Sequence, residues 1–172
     1  SITERMLCIT PRPEASLLPT PFFDVMDPKS WFYPILKEGN IRGFIKGYEG
    51  EVVTGADGIN RTPFRPERFI TRAEATTIVV RALAEEDIID ISKVNLTAAP
   101  GENWYDPYIS IARDIGPYLK KPAEGRQTFL LTPEEARTPD TEITRKEFAI
   151  MADRVLLFYD CYNPDRDGDG LL

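Results

Sequence analysis

The sequence overlays on itself. Displaced by 73 residues, Trp31 falls on Trp104, Pro34 on Pro107, Gly43 on Gly116 and Pro66 on Pro139, while Ile70-Thr71-Arg72-Ala73-Glu74 falls on Ile143-Thr144-Arg145-Lys146-Glu147. Arg81 and Leu83 then meet Arg154 and Leu156. A single ungapped offset aligns both ends of the unit and keeps Trp, Pro, Gly and the ITRxE run in order. That is the mark of one supersecondary unit used twice, and such units fold by docking copy against copy.

Each copy reads as helix, long irregular connection, helix. In the first copy the first helix is expected from Tyr33 to Glu38, with Pro34 in its first turn and Gly39 as its C-terminal cap. Its counterpart is expected from Pro107 to Ile115, closed by Gly116-Pro117. The second helix is expected from Thr71 to about Glu86, with Ala75, Ile78, Val79, Ala82 and Leu83 at helical spacing. The second copy repeats this pattern with Phe148, Met151, Ala152, Val155, Leu156 and Tyr159. Matched positions differ in size, Ala75 against Phe148 and Ala82 against Val155, which predicts related but unequal packing. The expected fold class is all-α: tandem helix–loop–helix units packed as a small helical bundle with long irregular inserts.

Thr71-x-x-Glu74 and Thr144-x-x-Glu147 are capping boxes by pattern: the hydroxyl accepts from the N3 amide and the carboxylate accepts from the N-cap amide. The arginine between them is not explained by capping. Arg72 and Arg145 fall at the first helical position, where a cation sits at the positive end of the helix dipole at a cost of about 0.3–1 kcal/mol. A local rule broken twice often marks function. Two readings follow. The guanidinium and the helix N-terminus together make a carboxylate or phosphate site, or each arginine pairs with an acidic residue of the neighbouring copy.

The ordered motifs Phe22-Phe23-Asp24-Val25, Trp31, the Gly39-to-Gly43 turn, Gly47-Tyr48, Phe64-Arg65-Pro66 and Ile70-Thr71-Arg72-Ala73-Glu74 resemble the S-layer homology (SLH) domain. The resemblance covers about Pro21 to Ala84, and a weaker copy covers about Trp104 to Leu157, without the F-x-D-V and Gly-Tyr elements. It implies secreted modules that usually occur in threes, form an all-helical pseudo-threefold bundle and hold proteins noncovalently to cell-wall polysaccharide. The residues it transfers to polysaccharide binding are Trp31, Gly47, Tyr48, Arg72, Trp104 and Arg145. An apolar ring wall for a sugar and arginine for an acidic substituent fit that chemistry. The implied partners are cell-wall polysaccharide and, beyond it, copies of the chain or other surface proteins, outside the cell. Two departures favour an alternative, a structural assembly subunit of a surface layer or extracellular filament without glycan binding. Both copies carry about 39 residues between Trp and ITR, and only two copies are present.

Composition sharpens what is excluded. There is no histidine among 172 residues, which removes His-based triads and imidazole zinc sites. A net charge of -7 argues against nucleic-acid binding by bulk charge, and no apolar run approaches a membrane span. Asp24, Asp27 and Glu38 are the candidate carboxylates for hydrolysis, yet each reads more simply as a cap or surface charge, and no nucleophile or phosphate-loop motif is present. The chain is therefore expected not to be an enzyme.

The ends carry two further expectations. Four prolines in residues 1–21 predict an extended N-terminal strap, followed by repeat copies at 22–90 and 91–160 and an Asp/Gly-rich tail at 161–172. In the tail, Asp165, Asp167 and Asp169 followed by Gly170 give the D-x-D-x-D-G spacing that wraps a hard cation in oxygens. The run is similar to the start of a thrombospondin type-3 calcium repeat; its alternative is a solvated acidic linker. Ca2+ is thus the candidate cofactor, in the tail only. Cys8 and Cys161 flank the repeat pair. As a disulfide they close a long loop worth about 4–5 kcal/mol in the chain-entropy model and point to an oxidising location. The alternatives are two free thiols or bonds to other chains.

Overall fold

The computed structural model describes residues 19–30, 32–48, 50–121, 123 and 125–159. Within them run helix α1 (Tyr33–Ile41), strands β1 (Val53–Thr54) and β2 (Asn60–Arg61), and helices α2 (Arg72–Glu85), α3 (Asp106–Arg113) and α4 (Arg145–Leu156). Single 3-10 turns lie at Gly116–Tyr118 and Glu135–Arg137. The chain is mostly helical, with one small antiparallel hairpin. It divides into two compact units whose boundary falls between Arg68 and Phe69. The first holds α1 and the hairpin. The second holds α2, α3 and α4, so the last helix of the first sequence copy shares a unit with the whole second copy.

In the first unit Phe22 and Phe44 are fully buried, and Val25, Tyr33 and Leu36 are buried as well. The Phe22 ring meets Phe64 at 5.2 Å between centroids. The segment holding Phe22 is tied to the chain after β2: Thr62 N donates to Pro21 O at 3.1 Å and Phe23 N to Thr62 O at 3.2 Å. Asp24 closes the same junction by accepting from Phe64 N at 2.8 Å and Arg65 N at 2.6 Å. The F-x-D-V motif is thus an anchor, aromatic inward and carboxylate on backbone amides.

Helix α1 does not stop at Gly39 as its sequence predicts. It continues to Ile41 with Arg42 as C-cap. Gly39 serves close approach instead: Phe44 N and Ile45 N both donate to its carbonyl, at 3.1 and 3.0 Å, and a Cβ there would stand 2.6 Å from Ile45 Cδ1. The chain reversal is made by Gly43, at φ +83°. The first insert is not wholly irregular either. β1 pairs with β2 across Asp57-Gly58, a strong hairpin signal. Asp57 holds Arg61 through two hydrogen bonds of 2.9 and 2.6 Å, and Arg61 Nε donates to Thr20 O at 3.1 Å.

In the second unit α2 is buried nearly all round, through Ala75, Val79, Val80, Ala82 and Leu83 and also through Thr76 and Thr77. It packs on α3. Arg81 Nε donates to Tyr108 Oη at 3.1 Å, and its guanidinium lies 5.1 Å from the centre of the same ring. Both capping boxes form as read from the sequence, at Thr71 with Glu74 and at Thr144 with Glu147. Helix α3 ends at Arg113, two residues short of the expected Ile115. The reason lies in the second insert: Leu130 N and Leu131 N take the Ala112 carbonyl, at 2.7 and 3.1 Å, and Ile115 N donates to Thr128 O. Leu130 and Leu131 are fully buried, so this insert supplies core as well as connection.

Candidate functional site

The two N1 arginines have opposite surroundings. At α2, Arg72 is 7 % exposed. Its guanidinium donates to Thr138 O and Thr138 Oγ1, and Nη2 lies 3.1 Å from Glu147 Oε1 at the start of α4. The helix N-terminus beside it is also occupied, because Arg72 N donates to Thr141 O at 2.9 Å and Ala73 N to Pro139 O at 2.8 Å. Ile143 N returns a bond to Ile70 O at 3.0 Å. The positive helix end and the buried cation are thus met by main-chain carbonyls and a carboxylate of the second copy. Of the two sequence readings for this arginine, ion pairing with the neighbouring copy describes its contacts.

Glu147 serves two partners at once. The Thr144 amide and hydroxyl, and to a lesser extent Arg72, hold its carboxyl below the ordinary carboxylate value. Arg145, at the matching position on α4, is exposed; among the described residues it has neither an ion pair nor a side-chain hydrogen bond. It is therefore a cation available to an external anion.

Trp104 is 52 % exposed. Its ring stands edge-on to Tyr105, with centroids 5.4 Å apart. Tyr105 is buried and donates its hydroxyl to Asp140 at 2.9 Å; burial first, then Asp140, push its pKa up. The segment that caps α2 thereby also fixes the ring on which the indole rests.

Gly47 and Tyr48 lie in the first unit. Gly47 has φ +69°, and a Cβ there would meet Pro63 O at 2.7 Å, so the position demands glycine. Tyr48 N donates to Pro63 O at 3.0 Å. The Tyr48 ring is approached by two guanidiniums, Arg65 at 4.5 Å and Arg68 at 5.2 Å from its centre. Arg65 is held by both oxygens of Glu51 at 2.6 Å and adopts φ +59°, a strained value for a non-glycine residue that the Asp24 clamp on its amide sustains. Arg68 is exposed and makes no ion pair among the described residues. Both guanidiniums lie over the half-buried phenol ring and concentrate positive charge there. Arg65 and Arg68 were not among the sequence candidates, although Phe64-Arg65-Pro66 lay within the motif read there.

Trp31, Cys8, Cys161, Asp165, Asp167 and Asp169 lie outside the described residues. Among the described residues no three acidic or thiol side chains are grouped as a metal ion requires. No described helix is long and apolar enough to cross a membrane. One interaction in the second insert escaped the sequence reading: Thr132 and Glu135 form a third reciprocal cap, and Glu135 also holds Arg154. The pattern Thr132-x-x-Glu135 was its signal.

Over 100 residues, 58 % of its length, the chain is 29 % identical to the surface-layer 125 kDa protein of Lysinibacillus sphaericus, and it spans 8 % of that protein's length. No family model matches the chain. No solved structure matches it.

Proposed function

We propose that the chain is a cell-surface module of SLH type that holds its protein to an acidic cell-wall polysaccharide. The observation that carries this reading is the Tyr48 ring with the Arg65 and Arg68 guanidiniums over it. It offers the acidic substituent of a sugar two clustered guanidiniums beside an aromatic ring, one of which, that of Arg68, no described carboxylate neutralises. Arg145 and Trp104 supply the same two chemistries in the second unit. Arg72 is buried and held by Thr138 and Glu147. The likeness to a surface-layer protein supports a place at the cell surface. The second reading, an assembly subunit of a surface layer, is favoured by one observation: the arginine motif of the first copy is spent on binding the second.

Titration calorimetry separates the two. Purified acidic wall polymer is expected to bind the full chain, and the Tyr48→Ala/Arg68→Ala variant to bind it at least about tenfold more weakly, since losing a ring face and a charged contact together removes about 1.5 kcal/mol or more. No binding by the wild type would favour the assembly reading, and equal binding by the variant would overturn the Tyr48 surface as the site.

A further inference from the structure

Helices α2 and α4 are the same element of the repeat, yet one face of α4 lacks the cover that its counterpart has. On α2 the positions Ala73, Thr76, Thr77, Val80 and Leu83 are all buried. Displaced by 73 residues they become Lys146, Ala149, Ile150, Asp153 and Leu156 on α4, and every one of these is exposed. Leu157, just past the helix, extends the stripe and is exposed as well. The spacing i, i+3, i+4, i+7 puts the helical members on one face. Ile150, Leu156 and Leu157 are 39, 37 and 36 % exposed. Lys146 and Asp153 make no ion pair or hydrogen bond with their side chains among the described residues.

We infer that this face pairs with itself in a second copy of the chain, α4 antiparallel to α4 about a twofold axis beside Ile150. The charge pattern selects that occupant. Lys146 and Asp153 stand symmetrically about the Ala149–Ile150 midpoint, two turns apart. An antiparallel copy therefore brings each lysine opposite the other chain's aspartate and closes the two isoleucines between two identical ion pairs. A surface that complements itself in this way makes an isologous, closed dimer, the commonest symmetric assembly. An acidic polymer is a poorer occupant, since the stripe balances its one cation with one anion and carries no aromatic ring. The pairing rests on neither reading of the function. In an anchored protein it would present two binding units to one wall polymer and raise avidity without any new contact to the ligand.

The test is sedimentation equilibrium of the full chain under reducing conditions, which remove any disulfide-linked dimer, with circular dichroism of every variant. The wild type is expected to dimerise. Lys146→Glu and Asp153→Lys each place like charges opposite each other twice per dimer and should weaken dimerisation about tenfold. The double variant Lys146→Glu/Asp153→Lys restores the pairing in reverse and should recover most of that loss. Ile150→Glu should abolish the dimer. A wild type that stays monomeric at its highest soluble concentration overturns the inference. So does a dimer insensitive to all three single substitutions, or a double variant no better than the singles. Retention of a monomer on cell walls that Ile150→Glu destroys would give the face to the polymer and overturn it equally.

Discussion

Arg72 and Arg145 show how far a residue's role is set by what meets it. The motif places both at the positive end of a helix, and only one finds carbonyls and a carboxylate waiting. Arg72→Ala removes charged hydrogen bonds from a buried side chain and should cost about 2–3 kcal/mol in urea unfolding, whereas Arg145→Ala should stay within about 0.5 kcal/mol. Similar losses at the two sites would contradict this division. Thr76 and Thr77 carry the opposite lesson. Among the described residues their buried hydroxyls find no hydrogen-bond partner. Replacing Thr77 by Val keeps the shape and removes the unpaired group, so it should raise the unfolding free energy by about 1–2 kcal/mol. The sequence offered both fates for Arg72 and could not choose, because the partner segment at 138–142 is some 66 residues away in the chain. Threonine inside the helical pattern gave no warning of burial.

At the scale of elements, local chemistry was the most legible. The capping boxes at Thr71 and Thr144 formed as their four-residue patterns required, since both partners lie within one turn. Thr71→Ala and Thr144→Ala should each cost about 1 kcal/mol by thermal or urea melting. Element ends set by distant contacts were misread. Gly39 looked like a stop and is a site of close packing, and α3 is cut short by Leu130 and Leu131 arriving from the insert. The hairpin was hidden inside a polar, glycine-rich run although Asp57-Gly58 marks its turn. Its pH response follows from Asp57, whose carboxyl is drawn from its ordinary 3.8 to about 2, mainly by the Arg61 hydrogen bonds and then by the Ile59 amide. The folded carboxyl is more acidic than the unfolded one, so on acidification the unfolded state takes up the proton first. The stabilisation is complete above pH 3.8 and is lost as pH falls through about 2. Amide exchange at Ile59 should accelerate over that window in the wild type, and an Asp57→Asn chain should lack this transition.

Over the whole molecule, the 73-residue repeat predicts a mostly helical chain, and the chain is mostly helical, with α2 packed on α3 and bonded to the segment at 138–143. It did not foretell where the compact units divide. Sequence repeats record the duplicated element, while compactness follows contacts, and α2 finds many of its contacts with what comes after it. The candidate site was half legible. Gly47 and Tyr48 came from the motif, and the two arginines that make Tyr48 a charged surface needed the fold to bring Arg65 and Arg68 against its ring.

The most direct measurement is cosedimentation of the full chain with purified cell walls, before and after chemical removal of their acidic polymer. The wild type should pellet with intact walls and stay in solution with stripped ones. The folded Tyr48→Ala/Arg68→Ala/Arg145→Ala variant should stay in solution with both. Equal pelleting of wild type and variant, or indifference to the acidic polymer, would contradict anchoring through this charged aromatic surface.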